Sequence, residues 1–432
     1  MLSRMRMMFR VEDLRNKILF TAFIVALFRL GCHIPLPFVD FSAIQQLKDQ
    51  AELGGAVAYL DLFAGGALTS VAIFALGIMP YITASIIMQL LAVVIPKLEE
   101  WQNEGRVGQK KITQWTRYLT VVLALMQSTG IVFALHQGGG FLGTGQLQGI
   151  DLIPHFNAPR VLLIVTTLTA GTALIMWLSE TITQRGIGNG MSIVITASVI
   201  SRLPAQVSQA FAGGNLFRAA LMVTMGIGVI VAIVFVESGL RKVPVQFAKR
   251  VAGRRTYGGS SSYIPLKVNQ SGVIPPIFAS SVLYFPAMLV AVIPFTWLQD
   301  FISSKLVRGD SMVYIAAFAL LIVFFSYFYT SITFNPQQQA DILRKQGGFI
   351  PGIRPGPPTE RYLARVLNRL TLPGSVFLAA IAVIPLLVFA ASNISEFPFG
   401  GMSILIIVGV ALETVKQIDS QLMMRNYEGF LR

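Results

Sequence analysis

The stretch 58–91, AYLDLFAGGALTSVAIFALGIMPYITASIIMQLL, is almost entirely apolar, yet Gly65, Gly66 and Pro80 interrupt it. Glycine and proline are costly inside a helix, so one continuous helix is not expected to run through it. Irregular backbone at membrane depth is tolerated only where protein or a water-filled cavity surrounds it. The pattern predicts a short half-helix that enters a cavity from the outer face at about 57–72. A helix lying flat on the outer membrane surface is the alternative.

The composition places this stretch in a membrane protein. Hydrophobic residues make up 54% of the 432-residue chain and charged residues only 12%, against ~25% charged in typical soluble domains. Most of the long apolar runs are near the ~20 residues with which a helix crosses a ~30 Å hydrocarbon core. The ten runs lie at 18–35, 71–95, 118–136, 159–179, 187–203, 216–236, 271–293, 312–332, 372–391 and 402–420. The predicted fold is therefore all-α, a polytopic membrane protein with ten transmembrane helices.

The basic residues set the predicted orientation. With ten spans both termini share a side, and if that side is cytoplasmic, the inside segments hold 27 of the 34 Lys and Arg residues and the outside loops six. This asymmetry is a strong positive-inside signal, so both termini are predicted to be cytoplasmic. Because each half has five spans, residues 1–212 and 213–432 enter the membrane from opposite sides. Inverted halves around a central pathway are a recurring transport architecture.

The predicted spans contain almost no charge. Arg29 is the only ionisable residue well inside one, and we interpret it as a long side chain that reaches a polar rim or a neighbouring helix. An ion-coupled transporter is disfavoured, because coupling usually needs ionisable groups near mid-membrane. An intramembrane protease is disfavoured because no span holds an Asp pair and every His lies at or beyond the outer end of a span. With Cys32 as the single cysteine and three His in the chain, no disulfide or metal site is expected. No cofactor and no enzyme activity are expected either.

Two long cytoplasmic loops, 237–270 and 333–371, are basic and carry signs of structure. In the first, the β-like segments VPVQF and SYIPLKV flank a turn at 257–260, which predicts a protruding hairpin. The second surrounds the Gly/Pro-rich GGFIPGIRPGPP. Such loops meet anionic lipid, or they dock on a polyanion such as ribosomal RNA or on an acidic protein face. The candidate docking residues are Arg241, Lys242, Lys249, Arg250, Arg254, Arg255 and Arg354.

Several motifs, spread over both halves, make the chain similar to a known family. They are FAGGAL at 63–68, IFALGIMPYITASIIMQLL at 73–91, RGIGNGMS at 185–192, PLKVN at 265–269, GVIPPIFASS at 272–281 and GGFIPGIRPG at 347–356. Together with ten spans they cover essentially the whole chain, which makes the signal far more specific than a lone short motif. On these motifs the chain resembles the SecY family, the large subunit of the bacterial protein-conducting channel.

The resemblance implies a clamshell of two five-helix halves around an hourglass-shaped pore. Such a pore passes unfolded secretory chains across the membrane and opens sideways into lipid for hydrophobic segments. The broken segment then becomes a plug that includes Leu60, Phe63, Gly65, Gly66 and Leu68. An aliphatic pore ring falls on Ile78, Ile82, Met191, Ile195, Ile277 and Ile406, with Met191 in place of the commoner isoleucine. Spans 2 and 7 become the lips of a lateral gate that includes Thr83, Ser85, Gln89, Ser281 and Phe285.

The residues themselves agree with a channel for many substrates. A channel that passes any unfolded sequence cannot hold one substrate tightly at specific polar sites, so uncharged spans are expected. The pairs Ile78/Ile82 and Met191/Ile195 are each four residues apart, so each pair lies on one helix face. Aliphatic residues at that spacing are also typical of ordinary helix packing, which is the alternative.

The resemblance also implies partners and a location. The partners are the small membrane subunits SecE and SecG, the SecA motor ATPase, the ribosome, unfolded preproteins with their signal sequences, and membrane lipid. Arg354, within GIRPG, takes the position of the family's arginine needed for productive engagement of SecA. The preceding NPQQQADILRKQGG at 335–348 departs from the family pattern, so other motor contacts are not carried over. The expected location is the bacterial plasma (inner) membrane.

Overall fold

The computed structural model describes residues 11–39, 61–136, 156–212, 216–247, 250–252, 255–257, 261–290, 297, 301–302, 305, 311–392 and 401–429. In its first half the helices are α1 (Glu12–Gly31), α2 (Met79–Val94), α3 (Pro96–Asn103), α4 (Arg106–His136), α5 (Ala158–Arg185) and α6 (Gly190–Ala212). In its second half they are α7 (Leu216–Ser238), α8 (Ile274–Val290), α9 (Met312–Thr333), α10 (Pro336–Lys345), α11 (Pro357–Ser392) and α12 (Gly401–Gly429). The strands are β1 (Leu240–Phe247), β2 (Arg250–Ala252), β3 (Arg255–Tyr257), β4 (Ser261–Lys267) and β5 (Gly348–Phe349).

Each of the ten predicted apolar runs overlaps one of these helices. By length and composition, five helices in the described part of the chain could cross a membrane, or six if α2 and α3, bent by 106° at their junction, form one span. The apolar parts of α6, α7 and α8 are shorter. A helical, multi-pass membrane fold is thus confirmed, whereas the number of ten spans stays a prediction.

The second span begins later than the apolar run at 71–95 predicts. Residues 61–64 form a helical turn, turns follow as far as Ile78, and α2 starts only at Met79. Pro80 lies in the first turn of α2, where the missing proline N–H costs nothing. The predicted break in the helix is therefore present, and Pro80 begins the span rather than bending it. Residues 57–60, including Leu60, lie outside the described residues.

Most of the buried side chains of the membrane helices belong to one apolar cluster, which we call the central cluster. It draws on α1, α2, α4 to α9, α11 and α12 and on the irregular segment at 62–78. Helices that precede residue 213 contact helices that follow it along two main lines, α2 against α8 and α6 against α12. The irregular segment therefore shares one apolar cluster with helices from both parts of the chain.

Loop 237–270 contains the predicted hairpin, in which β1 pairs antiparallel with β4 from Leu240↔Lys267 to Gln246↔Ser261. Its end is more elaborate than predicted, because β2 and β3 form a second antiparallel ribbon. Tyr257, the first residue of the predicted turn at 257–260, ends β3, and the rest of that turn lies outside the described residues.

The two basic loops, which are predicted to be cytoplasmic, form one unit, which we call the cytoplasmic unit. Strand β5 of loop 333–371 pairs with β1 through Gln246↔Phe349, which gives a three-stranded sheet in the order β4-β1-β5. A separate apolar cluster holds the sheet against α10 and α11, and its buried members are Val243, Val245, Leu266, Phe334, Leu343, Ile350, Leu363, Val366 and Leu367. The two loops are therefore packed together on their own core.

Candidate pore, plug and docking surface

The residues predicted to line the pore meet in the central cluster. Ile78, Ile82, Ile195, Ile277 and Ile406 are buried in it, each 6% exposed or less, and Met191 packs against it half-buried. They come from the start of α2, the first turns of α6 and α8, and α12. Four separate helices thus direct aliphatic side chains into one region.

The local sequence explains how two of these helices present their pairs. The N–H of Ile82 donates to the carbonyl of Ile78 at 3.1 Å, so the two residues stand one helical turn apart, as their spacing predicts. At the start of α6, the Asn189 Oδ1 accepts from the N–H of Met191 at 3.1 Å. Gly190 lies so close to α5 that a Cβ atom would overlap a backbone carbonyl there. The GIGNG sequence therefore fixes where α6 begins and where Met191 lies.

The described part of the predicted plug, 61–72, packs into the same cluster. Phe63 and Leu68 are buried there. Between them, Gly65 and Gly66 adopt φ values of 67° and 88°, which residues with a Cβ rarely adopt. The Gly-Gly pair therefore turns the chain sharply, so that apolar side chains on both sides of it reach the central cluster.

Charged residues hold the plug as well, and the sequence pattern singles out only one of them. Arg29 reaches a neighbouring helix as predicted, since its Nη1 donates to Ser201 Oγ of α6 at 2.8 Å, and it also donates to the Gly65 carbonyl at 2.9 Å. The buried Asp61 forms an ion pair with the partly exposed Arg202 of α6. An acid beside a Gly-Gly turn in an apolar segment was the signal that could have identified this pair.

The predicted gate residues lie on the two helices that meet across the pore region. Thr83, Ser85 and Gln89 are half-buried on α2, and Ser281 is buried on α8. Their hydrogen bonds stay local: Thr83 donates to Met79, Gln89 to Ser85, and Ser281 to the Ile277 carbonyl. These bonds therefore survive if α2 and α8 separate. Phe285 lies on α8.

The candidate docking residues lie on the cytoplasmic unit. Arg241 and Lys242 are exposed on β1, and Lys242 Nζ lies 4.9 Å from the ring centre of Tyr263 on β4. Arg250 belongs to β2 and Arg255 to β3. Lys249 and Arg254 lie outside the described residues.

Arg354 is exposed in the turn between β5 and α11. The Thr359 Oγ1, in the first turn of α11, donates to the Arg354 carbonyl at 2.9 Å. Gly352 and Gly356 on either side have φ values of 80° and 107°, which explains the glycines of the GIRPG stretch. The hydrogen bond and the two glycines therefore fix the conformation of this turn, which presents the guanidinium of Arg354 to solvent.

Similarity to known proteins agrees with this arrangement. The model of the SecY family matches residues 72–415. The chain belongs to the SecY family. A protein translocase subunit SecY from Streptomyces griseus is 51% identical over 436 residues, 98% of each chain. The SecY of Mycobacterium bovis is 50% identical over 447 residues, the full length of both chains.

Solved structures share the SecY fold with this chain at much lower identity. One is a protein-conducting channel, with a TM-score of 0.61 at 18% identity over 93% of this chain and 91% of that one. Another is Sec61 in a canine ribosome-channel complex from the endoplasmic reticulum, with a TM-score of 0.58 at 15% identity over the same shares. The chain is therefore a multi-pass member of a family of protein translocase subunits, which is a channel family and not an enzyme family. Within the described residues of this SecY chain, no group of three or more His, Cys, Asp or Glu side chains could hold a metal ion.

Proposed function

We propose that this chain is the central pore-forming subunit of the bacterial translocation channel. It passes unfolded secretory chains between its halves, 1–212 and 213–432, and releases hydrophobic segments sideways between α2 and α8. One observation carries the proposal: the aliphatic residues of four helices and the irregular 61–72 segment share a single buried cluster. A pore closed by such a cluster is sealed without any group that binds one substrate.

The ring Ile78, Ile82, Met191, Ile195, Ile277 and Ile406 is the proposed constriction, and 57–72 is the proposed plug on its outer side. A narrow apolar collar excludes water and ions because neither finds a hydrogen-bonding partner there. Flexible Met191 adapts to chains of different width more readily than isoleucine would. The collar therefore closes around a passing chain as well as in its absence.

Sideways release needs two helices that can part without leaving unpaired polar groups. The polar side chains of α2 and α8 that we assign to the gate bond within their own helices. Separation of these helices then exposes mainly apolar surface, which lipid accepts. A hydrophobic segment of the passing chain covers the same surface on its way out.

The cytoplasmic unit is the proposed docking surface for the SecA motor and for the ribosome. Both termini lie on the same side as this unit, and the chain sits in the plasma membrane with SecE and SecG. Exposed Arg241, Lys242 and Arg354 offer positive charge to ribosomal RNA or to an acidic protein face. Anionic lipid is the other ligand that would suit these charges.

The decisive experiment places a photo-crosslinking amino acid at single positions of the chain. The protein is reconstituted in vesicles with SecE, SecA and ATP, and a preprotein is arrested halfway by a folded domain at its carboxyl end. We expect crosslinks to the preprotein from positions 82, 195 and 406. Phe235 and Leu320, which are 81% and 69% exposed on the outside of the helix bundle, are the matched controls and should crosslink to lipid.

ATP-dependent protection of the preprotein from added protease is the accompanying readout. Protection together with crosslinks at the three ring positions supports both the channel and its path. Protection with crosslinks only at Phe235 and Leu320 would contradict the path. Absence of protection in vesicles that contain all three proteins would contradict the function.

A further inference from the structure

The plug is held by ionic contacts in addition to apolar packing. Asp61, at the start of the described plug, is 1% exposed, and its carboxylate pairs with the guanidinium of Arg202 on α6. Thr69, beyond the Gly-Gly turn, donates its N–H to Asp61 Oδ1 at 3.0 Å. Arg202 Nη2 also donates to Thr69 Oγ1 at 3.1 Å. One acid and one arginine therefore tie both ends of the plug turn to α6.

A second arginine holds the middle of the same turn. Arg29 of α1 donates through one nitrogen to the Gly65 carbonyl at 2.9 Å and to Ser201 at 2.8 Å. A Cβ atom on Gly65 would lie 3.0 Å from that nitrogen, and one on Gly66 would lie 3.2 Å from Nε of Arg202. The two glycines thus let the plug backbone approach both guanidinium groups closely.

We propose that Asp61, Arg202 and Arg29 form a polar latch that holds the plug against α1 and α6 and sets how often the resting channel opens. The three are positioning residues and lie apart from the aliphatic ring. The latch rests on the proposed function, because holding the plug has a consequence only if the plug closes a pore.

The environment of the latch makes it a two-state device. A buried charge is costly unless it is paired, so a plug that moves while the site is dry leaves the buried carboxylate of Asp61 uncompensated. Once water enters the outer funnel, the attraction between Asp61 and Arg202 weakens and each charge is solvated instead. The latch is therefore strong in the closed, dry channel and weak in the open, wet one.

The chain carries its own reporter for plug movement. Cys32, the only cysteine, is 2% exposed, and its Sγ donates to the carbonyl of Ala64 in the plug at 3.6 Å. Displacement of the plug would uncover this thiol. The test measures how fast a polar maleimide labels Cys32 in the purified channel complex in nanodiscs, without a preprotein. Resting conductance in planar bilayers is the second readout.

Arg202→Gln leaves the buried carboxylate of Asp61 without its ion-pair partner, so it should raise the labelling rate and the resting conductance about tenfold or more. Asp61→Asn removes the ion pair but leaves no buried charge, because Arg202 is partly exposed, so it should raise both readouts less, by about twofold to fivefold. The double variant leaves no unpaired charge, and both readouts should fall back toward the wild-type values.

Thr69→Val removes the hydroxyl that accepts from Arg202 and that lies within donating distance of Asp61 and of the Gly66 carbonyl. It removes no charge and keeps the backbone N–H bond to Asp61, so it should raise both readouts by about twofold to fivefold. If the charge variants fail to fold, Thr69→Val still tests the proposed latch.

The matched control is Arg117→Gln, which breaks the ion pair between Arg117 and Glu180 on α4 and α5 and should leave both readouts unchanged. Wild-type labelling and conductance in Asp61→Asn, Arg202→Gln and Thr69→Val would overturn the latch. Preprotein uptake by the same preparations keeps the two ideas separate. Normal uptake with unchanged labelling rejects the latch alone, whereas absence of uptake by the wild type rejects the proposed channel.

Discussion

The central cluster and the cytoplasmic unit differ in composition because their proposed roles differ: the first seals a pore and the second docks partners. The central cluster joins side chains from most of the membrane helices and presents aliphatic residues where the pore is proposed. The cytoplasmic unit has its own small core, and its central strand β1 exposes Arg241 and Lys242. A seal must refuse every solute, which favours apolar residues, whereas a docking surface must attract particular partners, which favours charge. Because the two clusters share no residue, changes in one should leave the role of the other intact.

The largest expected effect is on docking. Arg354→Glu should leave the protein inserted and closed but lower SecA-driven translocation by about 100-fold or more, because like charges facing each other at an interface cost several kcal/mol. The measurement is ATP-dependent uptake of a preprotein by reconstituted vesicles. Arg354 is exposed in a turn outside the central cluster, so the resting conductance should not change.

Arg361→Glu is the matched control, since Arg361 is exposed in the first turns of α11, close to Arg354 in sequence. Its effect on uptake should be within about threefold, as expected for a charge outside the docking contact. Wild-type uptake by Arg354→Glu would reject the assignment of Arg354.

The next effect concerns the seal. Ile82→Asn combined with Ile277→Asn places two amides in a site where each residue is now 6% exposed or less. A buried amide without a partner costs about 1–3 kcal/mol, so the pair should favour a wet pore and raise resting ion conductance about tenfold or more. Single-channel recording in planar bilayers without a preprotein gives the result.

Leu320→Asn combined with Phe235→Asn, at positions exposed on the outside of the bundle, should lower the folded yield without a leak. Deletion of 60–70 should raise conductance on its own, and more when combined with the ring changes, because the funnel then loses its filling. If the Ile82→Asn/Ile277→Asn double variant has the resting conductance of the wild type, these two residues are not part of the constriction. The family assignment would be unaffected.

The smallest effect separates the two ligands that suit the basic loop. Arg254→Glu with Arg255→Glu should weaken ribosome binding, and the slope of log affinity against log salt should become shallower by about 2, about 1 for each lost phosphate contact. A titration of ribosome binding to the purified channel against salt measures this. An unchanged slope would mean that the loop contacts lipid instead. The double variant should then sediment less with anionic vesicles than the wild type does.

Much of the local structure follows from the sequence because its causes are local. Pro80 begins α2, since proline suits the first turn of a helix and little else within it. The β-like segments VPVQF and SYIPLKV in loop 237–270 correctly predict β1 and β4 as a hairpin. The spacing of Ile78 and Ile82 places both on one turn. Each apolar run overlaps one helix of the structure, although the run at 71–95 places the start of the second one several residues too early.

The sequence alone therefore determines which segments are apolar enough to form membrane helices and where Gly65 and Gly66 break one of them. Its uneven distribution of Lys and Arg predicts that the basic loops lie on one side of the membrane. The tertiary structure alone decides which distant residues meet. It pairs Asp61 with Arg202, places β5 beside β1, and gathers the aliphatic residues of four helices into one cluster. The physical reason is that hydrophobic burial is non-directional, so a sequence shows which faces must be covered but not which partner covers them.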